Sequence, residues 1–158
     1  MSDEFRIGEE LAGEMVRHCL EGRPHEACGM LAATRGDAVK VFKMANASRS
    51  PVRYSLEPSE QLAVYNALDD HGWDLGGVFH SHTHTEAYPS PTDVRLASED
   101  VPYVIISLAS DPPEIRAFRI LKQDWAAEEG DIVELPVTIL GAATAISDRP
   151  ESRGIPPG

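Results

Sequence analysis

The run "WDLGGVFHSH" (Trp73 to His82) carries an apolar strand straight into a pair of histidines, and "THTEAYPSP" after it does not continue a strand. Side chains alternate faces along a strand, so His80 and His82 share one face and can offer two imidazoles to a single ion. Polar residues and the prolines Pro89 and Pro91 predict a loop soon after His82. His84 makes a third alternating histidine, but it joins the other two only if the strand runs on. A catalytic zinc site takes three protein ligands and leaves one position open. The residues leave the third ligand open among His84, Glu86 and Asp93.

Two other positions bear on the same chemistry. Ser90-Pro91-Thr92-Asp93 reads as a helix start: Ser as the cap, Pro at the first helical position, an acid three residues after the Ser. Such a helix would also hold Ser90 and Asp93 in a fixed geometry beside the histidines. In "RPHEACGM", Glu26 stands at the entrance to an apolar strand, an awkward place for a charge without a partner or a task. A zinc hydrolase needs a carboxylate there or elsewhere, to take a proton from water and pass it to the leaving group. His25-Glu26 begins like a helical HExxH motif, but the second His position is Gly29 and the segment does not read as a helix.

The rest of the chain frames these residues. Ile7, Leu11, Met15 and Leu20 recur at helical spacing, and that helix should stop at "EGRP". "ACGMLAAT" and "AVKVFKM" read as paired strands with "RGD" as their turn, and "NASRSPVRYSLEP" as a turn-rich loop with an extended stretch near "VRYSL". Pro58 opens a second helix that ends near Gly72. A short helix at "SPTDVRLASED" and strands at "YVIISLA", "EIRAFRIL" and "DIVELPVTIL" complete an α/β domain with a mixed sheet. From Gly141 on, "GAATAISDRPESRGIPPG" lacks periodicity and is expected to be a disordered tail, leaving 1–140 as the folded domain.

The net charge of −12 argues against a nucleic-acid partner, since phosphates call for Lys and Arg. The opening "MSDEFRIGEE" has no basic segment followed by an apolar one, and no apolar run matches a membrane span, so no membrane and a cytoplasmic location are expected. Cys19 and Cys28 are too few for a disulfide framework or a four-thiolate zinc site, and Cys28 is expected to be a small buried residue.

Glu26, then His80-Ser81-His82, then Ser90 and Asp93 at intervals of seven and two residues, form a pattern that resembles the JAMM (MPN+) metalloproteases. The order of elements over about 5–138 is similar to that family as well. The resemblance implies an MPN-like (cytidine-deaminase-like) domain, with a mixed, mostly antiparallel sheet flanked by helices. "PHEACGML", "NASRSPVRYSLEPSEQL" and "HSHTHTEAYPSPTDVRLA" look most like the short actinobacterial Mec-type members, which remove cysteine from the C-terminal Gly-Gly of a small ubiquitin-like sulfur-carrier protein. By that resemblance His80, His82 and Asp93 would bind one zinc ion. Glu26 would be the general acid/base, and Ser90 the hydroxyl that polarises the scissile carbonyl. His84 is the one departure from the pattern.

Arg49 and Arg53, in the loop "NASRSPVRYSLEP", are candidates to meet the carboxylate of the departing cysteine. That loop would form part of the groove for an extended substrate tail. Three alternatives share some of these residues: a broader isopeptidase for other Gly-Gly conjugates, a non-catalytic MPN scaffold, and a cupin-like metal protein using His80, His82 and Glu86. The scaffold usually lacks several motif residues present here, and the cupin pattern expects glycines where Asp74 and Asp93 stand. A zinc deaminase is excluded by the lack of a Cys-x-x-Cys.

Overall fold

The computed structural model describes residues 4–141. The tail expected over 141–158 lies, apart from Gly141, outside them. In chain order the elements are β1 (Phe5–Gly8), α1 (Glu9–Gly22), β2 (Cys28–Thr34), β3 (Asp37–Met44), α2 (Pro58–His71), β4 (Asp74–His82), α3 (Pro91–Leu96), β5 (Tyr103–Ser107), β6 (Glu114–Leu121), β7 (Asp131–Leu135) and β8 (Val137–Leu140). The strands form one sheet in the order β7-β6-β5-β4-β2-β3-β1-β8. Pairing is parallel for β1 with β3, β1 with β8 and β4 with β5, and antiparallel elsewhere. The sheet is mixed and mostly antiparallel, as expected.

Two elements depart from the expectation. Ile7 belongs to β1 and not to the first helix: Phe5 and Ile7 alternate inward along the strand, and Gly8, with φ −71 and ψ 154, turns the chain into α1. The four-residue step from Ile7 to Leu11 fits a helix by accident of spacing. "DIVELPVTIL" is two strands, divided at Pro136, which has no N–H for a ladder. Those two strands are the opposite edges of the sheet. One residue spans at most about 7 Å, so the sheet must curl until its edges nearly meet.

α1 fills that curl. Ala12, Met15 and Cys19 are its buried stripe, packed with Phe5, Ile7, Leu31, Phe79, Val104, Ala117 and Leu135. On the other face of the sheet, Cys28, Met30, Ala32 and Val78 pack with Val64 and Leu68 of α2 and Val94 of α3. Helices cover β2 from both sides, which is why "CGMLAA" is buried without a polar alternation. α2 begins with Pro58 and an Ser59 N–H to Glu57 cap, and ends at Gly72 with φ 69. The hairpin between β2 and β3 turns at Arg35 and Gly36, both at positive φ. Along β4, Val78, His80 and His82 thus belong to the face shared with α2 and α3. None of the helices among the described residues is long and apolar enough to cross a membrane.

Candidate metal centre

β4 ends with the Nε2 atoms of His80 and His82 3.2 Å apart. Asp93, third residue of α3, brings Oδ2 to 3.2 Å from His80 Nε2 and 3.0 Å from His82 Nε2. All three residues are buried. Donor atoms around a tetrahedral ion bound at about 2.0–2.1 Å lie about 3.3 Å from one another. The three side chains therefore already stand at the spacing of one face of such a site. Two imidazoles and a carboxylate suit zinc, and this face leaves a fourth position free.

Each donor is held from behind, in a different way. His82 Nδ1 donates to the Glu86 carbonyl at 2.8 Å, which fixes the tautomer and leaves the Nε2 lone pair available to an ion. Asp93 is held by α3. Ser90 Oγ accepts the Asp93 N–H at 3.0 Å while Asp93 Oδ2 accepts the Ser90 N–H at 2.9 Å, a reciprocal capping box. At the far end of this short helix Lys122 Nζ donates to the carbonyls of Val94, Arg95 and Ala97, each at 3.0 Å. Burial alone would raise the Asp93 carboxyl, but the two histidines and the Ser90 amide outweigh it and hold it below the ordinary range. Burial lowers His80; for His82 the Asp93 and Glu86 contacts overcome burial and raise it.

Glu26 reaches the same place through sheet register. β2 and β4 run antiparallel with Cys28 opposite His80, so two residues earlier Glu26 falls level with His82 and on the same face. Ala27 N–H donates to Ser81 Oγ at 2.8 Å and Ser81 N–H to the Ala27 carbonyl at 3.0 Å, extending the pairing past the strand. Glu26 is 5% exposed, and its Oε1 has no hydrogen-bond partner among the described residues. Burial pushes its carboxyl up to about 8; His82 opposes the rise and Asp93 adds to it.

Other candidates fall outside the cluster. His84 is exposed, with Nδ1 2.9 Å from the Thr83 hydroxyl. The Glu86 side chain is 79% exposed, 4.0 Å from Arg116, so only its carbonyl serves the site and a cupin-like ligand set does not form. Gly29 could not be the second histidine of a HExxH motif: any Cβ there would lie 2.3 Å from the Phe42 carbonyl and 2.4 Å from the Phe79 ring. Cys28 is fully buried with Sγ toward the Ala45 carbonyl, and burial pushes its thiol up to about 12. Arg49 and Arg53 are exposed on the 45–57 loop and enter no ion pair among the described residues.

Several supporting residues have no motif to announce them. Asn46 donates through Nδ2 to the carbonyls of Glu26 and Arg53, both at 2.9 Å, and accepts from the Ser48 and Ser55 amides. Tyr54 stacks on His80. Ser81 and Lys122 carry no such signal either, since a serine between histidines and a lysine after a strand are commonplace.

Residues 8–121 match the family described as prokaryotic homologs of the JAB domain. The chain belongs to that family. This JAB-family chain is 41% identical over 139 residues to the CysO-cysteine peptidase of Mycobacterium tuberculosis, covering 85% of this chain and 90% of that one. The solution structure of a Desulfitobacterium hafniense protein superposes with a TM-score of 0.74 at 32% identity, over 86% of this chain and 92% of that one. A JAB1/MPN domain crystal structure from Archaeoglobus fulgidus, at 15% identity and a TM-score of 0.55, covers 87% of this chain and all of that one, and shares the fold. The fold is MPN-like, and the chain is a hydrolase of the JAMM peptidase class.

Proposed function

We propose that this chain is a zinc-dependent peptidase that hydrolyses the amide bond after the C-terminal Gly-Gly of a small ubiquitin-like sulfur-carrier protein, releasing cysteine. The reaction would close a cysteine-forming route in the cytoplasm. One observation carries the reading: the buried donors of His80, His82 and Asp93 stand at zinc spacing, with the Glu26 carboxyl, whose Oε1 has no partner among the described residues, level with them. The 41% identity to a CysO-cysteine peptidase supports the substrate class. The reaction is assigned to the domain over 1–140.

His80, His82 and Asp93 would hold one zinc ion per chain. When bound, zinc supplies Lewis acidity, drawing charge from water and from a carbonyl oxygen. Glu26 takes the proton of the attacking water on its carboxylate and hands it to the leaving amine. Burial, which raises this carboxyl to about 8 in the metal-free site, favours its holding the proton between the two halves of that transfer. Ser90 Oγ already accepts the Asp93 N–H, so its own proton is free to meet the negative charge that develops on the scissile carbonyl oxygen. Arg49 and Arg53 lie in the loop beside Tyr54 and meet the carboxylate of the departing cysteine.

The test offers a sulfur-carrier protein ending in Gly-Gly-Cys to wild type and to Glu26→Ala, and follows loss of one cysteine by mass spectrometry. Loss with wild type and none with the variant is expected. No loss with zinc-loaded wild type would overturn the substrate; loss from other Gly-Gly conjugates would widen it.

A further inference from the structure

The two histidines at the end of β4 are supported unequally. His82 has the partner on Nδ1 that most metal-binding histidines have, the Glu86 carbonyl at 2.8 Å. His80 Nδ1 is buried with no hydrogen-bond partner among the described residues. Without such a partner the imidazole keeps a soft rotation about its Cβ–Cγ bond, and Nε2 can swing away from the donor cluster. What lies on His80 instead is the ring of Tyr54, with centroids 4.3 Å apart and planes within 20°.

We propose that Tyr54 is a positioning residue for the metal site: its stacked ring fixes the His80 imidazole in the orientation that a hydrogen bond to Nδ1 would otherwise enforce. This rests on the reading of His80 as a zinc ligand. The loop is built to keep the tyrosine in place. Asn46 donates to the Arg53 carbonyl at 2.9 Å and accepts the Ser55 N–H at 3.1 Å, gripping the residues on either side of Tyr54. The Ala47 N–H to Ser55 carbonyl bond and the Asn46–Leu56 bridge close the same loop. Thr83, one residue after His82, donates from its hydroxyl to the Pro51 carbonyl at 3.0 Å and ties the loop to the end of β4. The same Asn46 amide takes the Glu26 carbonyl at 2.9 Å. One side chain thereby sets both the ring that orients His80 and the backbone that carries Glu26.

The experiment measures zinc affinity by chelator competition for wild type, Tyr54→Phe and Tyr54→Leu, alongside ¹⁵N-edited spectra of the wild-type histidine rings. Tyr54→Phe keeps the stack and should bind within about twofold of wild type, whereas Tyr54→Leu should bind about tenfold or more weakly, the loss typical of removing a ligand's support. The His80 Nδ1–H should resonate upfield of the hydrogen-bonded His82 Nδ1–H, shielded by the tyrosine face. Equal affinity of Tyr54→Leu and wild type would overturn the proposal. If Tyr54→Leu does not fold, the spectra decide: a His80 Nδ1–H as far downfield as that of His82 would mean that a hydrogen bond holds the ring. Wild type that bound no zinc would end the metal reading itself, a failure distinct from the other two.

Discussion

Asp93 Oδ2 accepts the Ser90 N–H at 2.9 Å and, with the same atom, stands 3.2 and 3.0 Å from the Nε2 atoms of His80 and His82. The cap of α3 and one corner of the proposed metal site are a single carboxylate oxygen. Ser90 and Asp93 can therefore be separated by mutation. Ser90→Ala should cost about 1 kcal/mol of stability from the lost cap and about 10²–10³ in turnover, with zinc content unchanged. Asp93→Ala should lose the zinc as well. Metal analysis beside thermal unfolding checks both; full activity in Ser90→Ala would leave Ser90 only its capping role.

Glu26 makes the metal-free protein sensitive to pH. Its folded pKa of about 8 lies above the ordinary 4.5, so the folded state holds a proton that the unfolded state has released. The stability this contributes is complete below about 4.5 and is lost as pH rises through about 8. Glu26→Gln should flatten that part of the curve while abolishing turnover. Denaturant unfolding of the metal-free proteins across this range is the check, and parallel curves would show that Glu26 is not the group responsible.

Lys122 closes the end of a six-residue helix that could not stand alone. Lys122→Met should destabilise the protein by about 1–2 kcal/mol and weaken zinc binding through Asp93. Calorimetry and chelator competition would measure the two effects. Lower stability with wild-type zinc affinity would show that the capping box alone fixes Asp93.

His84 and the Glu86 side chain are exposed and lie outside the donor cluster, and Glu86 contributes a carbonyl that substitution leaves in place. His84→Ala and Glu86→Gln should keep a full complement of zinc by elemental analysis. Metal loss in Glu86→Gln would contradict the ligand set.

Arg49→Ala with Arg53→Ala should raise KM for a carrier ending in Gly-Gly-Cys and leave kcat nearly unchanged, since uniform binding would be lost. Steady-state kinetics with that carrier and with its C-terminal amide would test it. An equal penalty on both substrates would mean that the arginines do not read the carboxylate.

Much of this site could be read along the chain because its signals are local. The two-residue period of β4 aligned His80 with His82, and Ser90-Pro91-Thr92-Asp93 announced its own helix start. The supports could not be read in this way. The Glu86 carbonyl is an atom every residue has, and the Tyr54 stack depends on how a turn-rich loop folds back. Strand boundaries failed where spacing fitted two periods, at Ile7, and where proline split one apolar run between two edges of the sheet, at Pro136.

The sequence by itself determined the chemical types and which of them lie near one another along the chain: imidazoles on one strand face, and a serine and an acid on one helix start. Only the tertiary structure decided which acids belong with them. Asp93 reaches the histidines because α3 packs against the β4 face, and Glu26 because antiparallel pairing sets Cys28 opposite His80. Both are consequences of register and packing between segments far apart in the chain. Periodicity, being local, carries no information about which distant segment will be the neighbour.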